Sequence, residues 1–190
     1  MKFIPLIFFS FFVLQLPVLS QKAHPKNETT DTTVPKHIIQ SIEGFLTWYK
    51  NNYFRLYQYS LTYTDDSGHY QVDTIHCKQF LNELKSTGFI SDVYVRLWKK
   101  YFDDQAKNFK INIQNEGPPE GFDMDLVLLT QEPEEVLNHI TSLRYEIFDM
   151  DDQSAVVIVH TRWEEWKYII ELSNINGHWL IDYISLKEPD

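Results

Sequence analysis

The sequence predicts an α+β domain in which N-terminal helices pack on an antiparallel β-sheet. Apolar residues recur at three- and four-residue steps from Ile39 to Phe102, then alternate one by one from Leu143 to Tyr183. Asn176-Gly177, set between two alternating runs, signals a tight hairpin. Helices followed by strands with short connections place the helices on one face of the sheet.

The chain has 190 residues, and the first 20 resemble a cleavable leader. Lys2 supplies the positive start, Phe3 to Leu14 is almost wholly apolar, and Val18 and Ser20 are the small residues expected before cleavage between Ser20 and Gln21. An uncleaved anchor is the rival reading, but Gln15 and Pro17 shorten the run below the ~20 apolar residues that span a bilayer. Residues 21–35 are polar and Thr-rich, as in a flexible spacer, which leaves residues 36–190 as a single domain. The expected location is outside the cytoplasm, periplasmic or extracellular.

Within the domain, Ile39, Ile42, Phe45, Leu46, Tyr49 and Tyr53 mark the first helix, with Pro35 as its opening residue. Phe54 to Val72 is Tyr-rich and reads equally as a hairpin about Asp65-Asp66-Ser67-Gly68 or as an aromatic loop. Asp73 or Thr74 caps a second helix carrying Cys77, Phe80, Leu81 and Leu84, with Gly88 at its end. Ser91 caps a third, whose apolar face is Val93, Tyr94, Leu97, Trp98, Tyr101 and Phe102. Asn115 to Gly121 is a rigid loop. Strands follow around Tyr145, Val159, Ile170 and Ile181. A two-residue loop at Asn176-Gly177 sets Ile175 against His178, Leu172 against Ile181 and Ile170 against Tyr183. It also sets Glu171 directly against Asp182, a destabilising pair of like charges.

Composition excludes some functions. A net charge of −10, one unit more acidic once Lys2 leaves with the leader, argues against nucleic acid and anionic membrane. It suits a basic protein or a cation as partner, and it equally suits solubility alone. The single cysteine, Cys77, excludes an internal disulfide and the usual Cys-rich metal sites, and it reads as a small buried residue on a helix. The seven histidines show no metal-ligand spacing, and no phosphate-cradling loop or nucleophile elbow is present. No cofactor or metal is expected.

Two groups of residues remain as candidates. Asp123 and Asp125 in FDMD would share one side of an extended segment, either as two acids working together or as the solvated edge of a strand beside the Pro-Pro loop, with Phe122, Met124, Leu126 and Leu128 facing the core. The turn acids Asp149, Asp151 and Asp152 lack the calcium-loop pattern and suit plain turn chemistry. The aromatics Trp48, Tyr49, Trp98, Tyr101, Trp163 and Trp166 either fill the core or line a cavity between helices and sheet. The candidate ligand-binding set is Trp48, Trp98, Tyr101, Asp123, Asp125, Trp163, Trp166 and Asp182, with no catalytic residue assigned.

The run CKQFLNELKSTGFISDVYV from Cys77, the aromatic helix after it and QNEGPPEGFDMDLVLLTQE resemble bacterial exported proteins grouped as domain of unknown function 3828. NGHWLIDYI resembles the closing hairpin of that group and of NTF2-like proteins. The resemblance covers roughly residues 36–186, and PPEGFDMD is its most specific part. It implies a cone-shaped, NTF2-like or cystatin-like domain, with helices on a curved antiparallel sheet in a bacterial envelope. Asp123 and Asp125 match its acidic positions, and it carries no catalytic set to transfer. The functional expectation is a non-catalytic binding module for a protein or small ligand. The alternatives are a pocket enzyme using Asp123, Asp125 or Asp182 as base, and an acidic immunity-type inhibitor of a basic toxin.

Overall fold

The computed structural model describes residues 34–162 and 166–187; the leader, nearly all of the spacer and Trp163 lie outside them. The fold is α+β. Helix α1 spans Lys36–Leu56, and Pro35 stands just before it as the N-cap rather than as its first residue. Ile38, Ile42, Phe45, Leu46 and Tyr49 form its buried face.

The Tyr-rich stretch is resolved by length. Its first three residues complete α1, and Thr62–Thr64 (β1) then pairs with Tyr70–Val72 (β2) as a small hairpin. The turn is built by Asp65, whose Oδ1 accepts the N–H groups of Ser67 and His69 at 2.9 and 3.0 Å. Helix α2 (Thr74–Ser86) is capped by Asp73 and buries Cys77, Phe80, Leu81 and Leu84. Helix α3 (Asp92–Ile111) is capped by Ser91. Each cap side chain accepts two N–H groups that the first turn cannot satisfy internally. Of the expected α3 face, Tyr94, Tyr101 and Phe102 are buried, while Val93, Leu97 and Trp98 are half-buried.

The segment after the Pro-Pro loop differs from the expected extended strand. Asp125 Oδ1 accepts the N–H of Val127 at 3.0 Å and of Leu128 at 2.6 Å, and this bends the chain into a turn. Alternation ends there. Leu126, Val127 and Leu128 are buried one after another, and Asp125 is buried with them, only 4% exposed. A short helix α4 (Pro133–Leu137) and one 3-10 turn (Ile140–Ser142), neither foreseen in the sequence, lead into the sheet.

The sheet is an antiparallel meander of β3 (Arg144–Met150), β4 (Ser154–His160), β5 (Lys167–Ile175) and β6 (His178–Lys187) in chain order. Its helix-facing side carries Val157 and Val159 from β4, Tyr168, Ile170 and Leu172 from β5, and Trp179, Ile181 and Ile184 from β6. The β6 edge is covered. Ile181 N–H donates to Phe89 O at 2.8 Å, and Ser91 N–H donates to Ile181 O at 3.0 Å, so the start of α3 is tied to the sheet. The β3 edge carries a bulge at Phe148 instead.

The Asn176-Gly177 loop forms as expected, with left-handed φ of 54° and 84°, and it pairs Ile175 with His178 and Leu172 with Ile181. Beyond that point the expected register fails. A bulge leaves Asp182 as an extra residue on β6, so Glu171 faces Tyr183 and Ile170 faces Ile184. The bulge removes the direct Glu171–Asp182 opposition. It also exchanges two side chains: Ile184 enters the core, and Tyr183 moves to the half-buried outer face.

Candidate functional site

The most distinctive polar feature of the interior is Asp125. Besides the two N–H groups of its turn, its Oδ2 accepts the Tyr49 hydroxyl from α1, across 76 residues of chain. The turn is pinned from the sheet by the Tyr168 hydroxyl, which donates to Leu128 O at 2.8 Å. It is closed by Asp125 N–H donating to Thr130 O at 2.9 Å. Helix and sheet therefore converge on this turn, the helix through the Asp125 carboxylate and the sheet through Leu128 O.

Burial is the largest influence on this carboxyl and pushes its pKa up. The hydrogen bonds from Tyr49, Leu128 and Val127 pull the other way without cancelling it, and the charge of Glu134 adds to the rise. Around it the phenols are raised in turn. Tyr49 is pushed far up by burial and then by Asp125, with which it hydrogen-bonds. Tyr168 and Tyr94 are raised by burial first and Asp125 second. Tyr53, raised to about 12 by burial, is also pushed up by Glu134 and Asp125. Tyr94 is fully enclosed, and its hydroxyl completes no hydrogen bond among the described residues, although Trp98 acts on it in the direction of a lower pKa.

Asp125 and Tyr49 both line a cavity of about 250 Å³. Its walls come from the end of α1 and the chain after it (Leu56, Tyr57, Tyr59, Ser60), from Phe80 of α2, and from Phe122, Met124, Asp125 and Leu126. Tyr57 stands at the rim, 66% exposed, in ring contact with Tyr53 at 5.6 Å. The Tyr59 hydroxyl donates to Glu83 at 3.1 Å, and Glu83 in turn pairs with Arg55 at 2.8 Å.

The candidate set is divided by the fold. Of the seven candidates among the described residues, Asp125 alone lines the cavity. Trp98 and Tyr101 lie one layer behind it, in an aromatic cluster with Phe102 and Phe122, and the Tyr101 hydroxyl donates to Gly121 O at 2.6 Å to hold the Pro-Pro loop on α3. Trp48 is half-buried on α1, in ring contact with Phe45. Asp123 is half-buried and does not share the position of Asp125, because the turn separates them. Asp182 sits at the β6 bulge on the outer face, where it accepts the Ser173 hydroxyl at 3.0 Å. Trp166 stands exposed at the entry to β5. Tyr57, Tyr59 and Phe80 line the cavity outside that set; the signal for the two tyrosines was the tyrosine surplus between Phe54 and Val72, whereas Phe80 read only as part of the apolar face of the second helix.

Cys77 is buried, its thiol pushed up to about 12 chiefly by that burial, and its sulfur faces Leu61 O at 3.7 Å. The neighbouring His76 ring instead faces Ser60 O and Asp73, so the two do not form a nucleophilic pair. Asp151 serves its turn, accepting the N–H groups of Gln153 and Ser154. Among the described residues, no group of three or more His, Cys, Asp or Glu side chains could hold a metal ion, and no helix is long and apolar enough to cross a membrane.

Comparison with family models, with curated proteins and with solved structures finds no match to this chain.

Proposed function

We propose that this protein is an exported, non-catalytic module that binds a small molecule in the cavity at the end of α1. The observation that carries the reading is the position of the Tyr49–Asp125 pair in the wall of a cavity of about 250 Å³, otherwise lined mainly by aromatic and aliphatic side chains. Concave, mostly apolar sites with few fixed polar groups are the usual form of a ligand pocket. The leader-like first 20 residues and the resemblance to domain of unknown function 3828 support export to a bacterial envelope and an NTF2-like cone.

An acid–base enzyme is the second reading, and it now rests on Asp125, since Asp123 and Asp182 do not line the cavity. Against it, all three hydrogen bonds to Asp125 hold it as a fixed acceptor, and Tyr49, pushed far up, is a donor rather than a proton-transfer acid.

The test is a thermal-shift screen of a fragment library of neutral, cationic and anionic members against the mature protein and a Met124→Trp variant, in which the indole fills the cavity. Fragments that stabilise the wild type and not the variant support the reading. Fragments that stabilise both equally place binding elsewhere, and a library without hits overturns it.

A further inference from the structure

Resting on that reading, we infer that the cavity's ligand is an organic ammonium ion: an amine carrying a small apolar or aromatic body. Five aromatic rings line the cavity, those of Tyr49, Tyr57, Tyr59, Phe80 and Phe122. The face of an aromatic ring carries negative quadrupole potential, which attracts an ammonium group and is indifferent to a neutral one. Among the described residues, no Lys, Arg or His lines the cavity.

The formal charge in the wall has one sign. Asp125 is buried and is held by three neutral donors, Tyr49 and two backbone N–H groups. Burial therefore works against its charge, no cation among the described residues offsets that, and an ammonium group beside it would favour the ionised form. Glu134 lies near enough to act on both Asp125 and Tyr53 with the same sign. On the Tyr59 side, Arg55 is paired with Glu83, and the His76 ring packs against Tyr59 from outside the lining, beside Asp73. In a partly enclosed site of reduced dielectric, such a field reaches several ångströms and favours a positive ligand over an isosteric neutral one. The aromatic and aliphatic walls would cover the ligand's apolar body. The net charge of −10 supplies long-range attraction of the same sense.

The experiment is calorimetric titration of the mature protein with three ligands of nearly equal shape: phenethylamine, phenethyl alcohol and hydrocinnamate. The amine should bind at least about tenfold more tightly than the alcohol, and hydrocinnamate should bind least. Asp125→Asn should bring the amine down towards the alcohol. Tyr57→Ala, a rim substitution that leaves the Asp125 network intact, should weaken the amine several-fold and the alcohol little, and it serves if Asp125→Asn does not fold. Equal or tighter binding of the alcohol or hydrocinnamate overturns the amine inference and leaves a ligand cavity standing. If none of the three binds while the fragment screen still finds Met124→Trp-sensitive hits, the amine inference alone is lost. If the screen is also empty, both fall.

Discussion

The Tyr49 hydroxyl and the Asp125 carboxylate form a buried hydrogen bond that joins the first helix to a turn 76 residues away. The bond stands between α1 and the Asp125–Leu128 turn, so it serves stability and the proposed site together.

Tyr49→Phe deletes the donor and leaves a buried acceptor one bond short, which should cost about 1–3 kcal/mol. Asp125→Ala should cost more, because two turn N–H groups lose their acceptor as well. Urea denaturation of both single variants and the double variant should show a coupling of more than about 1 kcal/mol. Simple additivity would mean that the two residues act independently.

Alkaline unfolding should be steep. Tyr49, Tyr94 and Tyr168 are all raised by burial, so they stay protonated in the fold at a pH where the unfolded chain ionises them near ~10. Between the unfolded and folded values the unfolded state holds fewer protons, and stability falls as pH rises. Each phenol contributes about 1.4 kcal/mol per pH unit to that fall. Below the unfolded value the contribution is flat. Tyr94→Phe, which loses no completed hydrogen bond, should lower the slope by about one proton and cost little at neutral pH. An unchanged slope in stability measured from pH 10 upwards would count against this account.

The thiol of Cys77 should be silent in the native protein. It is 2% exposed and its pKa is pushed up to about 12, so neither access nor thiolate is available near neutrality. Reaction with a disulfide reagent at pH 8 should proceed at the rate of unfolding and be complete in denaturant. Rapid labelling of folded protein would show that α2 opens locally.

Two turn glycines should respond differently to alanine. Gly177 has φ of 84° but open space around an added Cβ, so Gly177→Ala should cost about 1 kcal/mol of backbone strain. Gly121 has φ of 81°, and a Cβ there would run into the Tyr101 hydroxyl that holds the loop, so Gly121→Ala should cost about 2–4 kcal/mol. Melting temperatures of the two variants, measured side by side, decide it.

Much of this fold was legible because its signals are local. Asp73 and Ser91 cap helices from one position before the periodic run begins, and Asn-Gly announces its own turn geometry. Asp125 was legible as a candidate and misread as a strand residue, since FDMDLVLL alternates in composition while its geometry is set by a side chain bonding to its own backbone. The β6 bulge was hidden because one extra residue leaves no mark on a pattern that is apolar on both sides of it. The cavity was beyond local reading, since its walls come from segments that meet only in the folded chain.

That bulge divides β6 into two reading frames. Before Asp182 the odd-numbered positions, Trp179 and Ile181, point inward; after it the even-numbered Ile184 does. A residue-by-residue substitution scan along the strand should therefore show its tolerance reversing parity at Asp182. Removing that one residue would leave Tyr183 opposite Glu171 and Ile184 opposite Ile170, and would give the strand one unbroken parity.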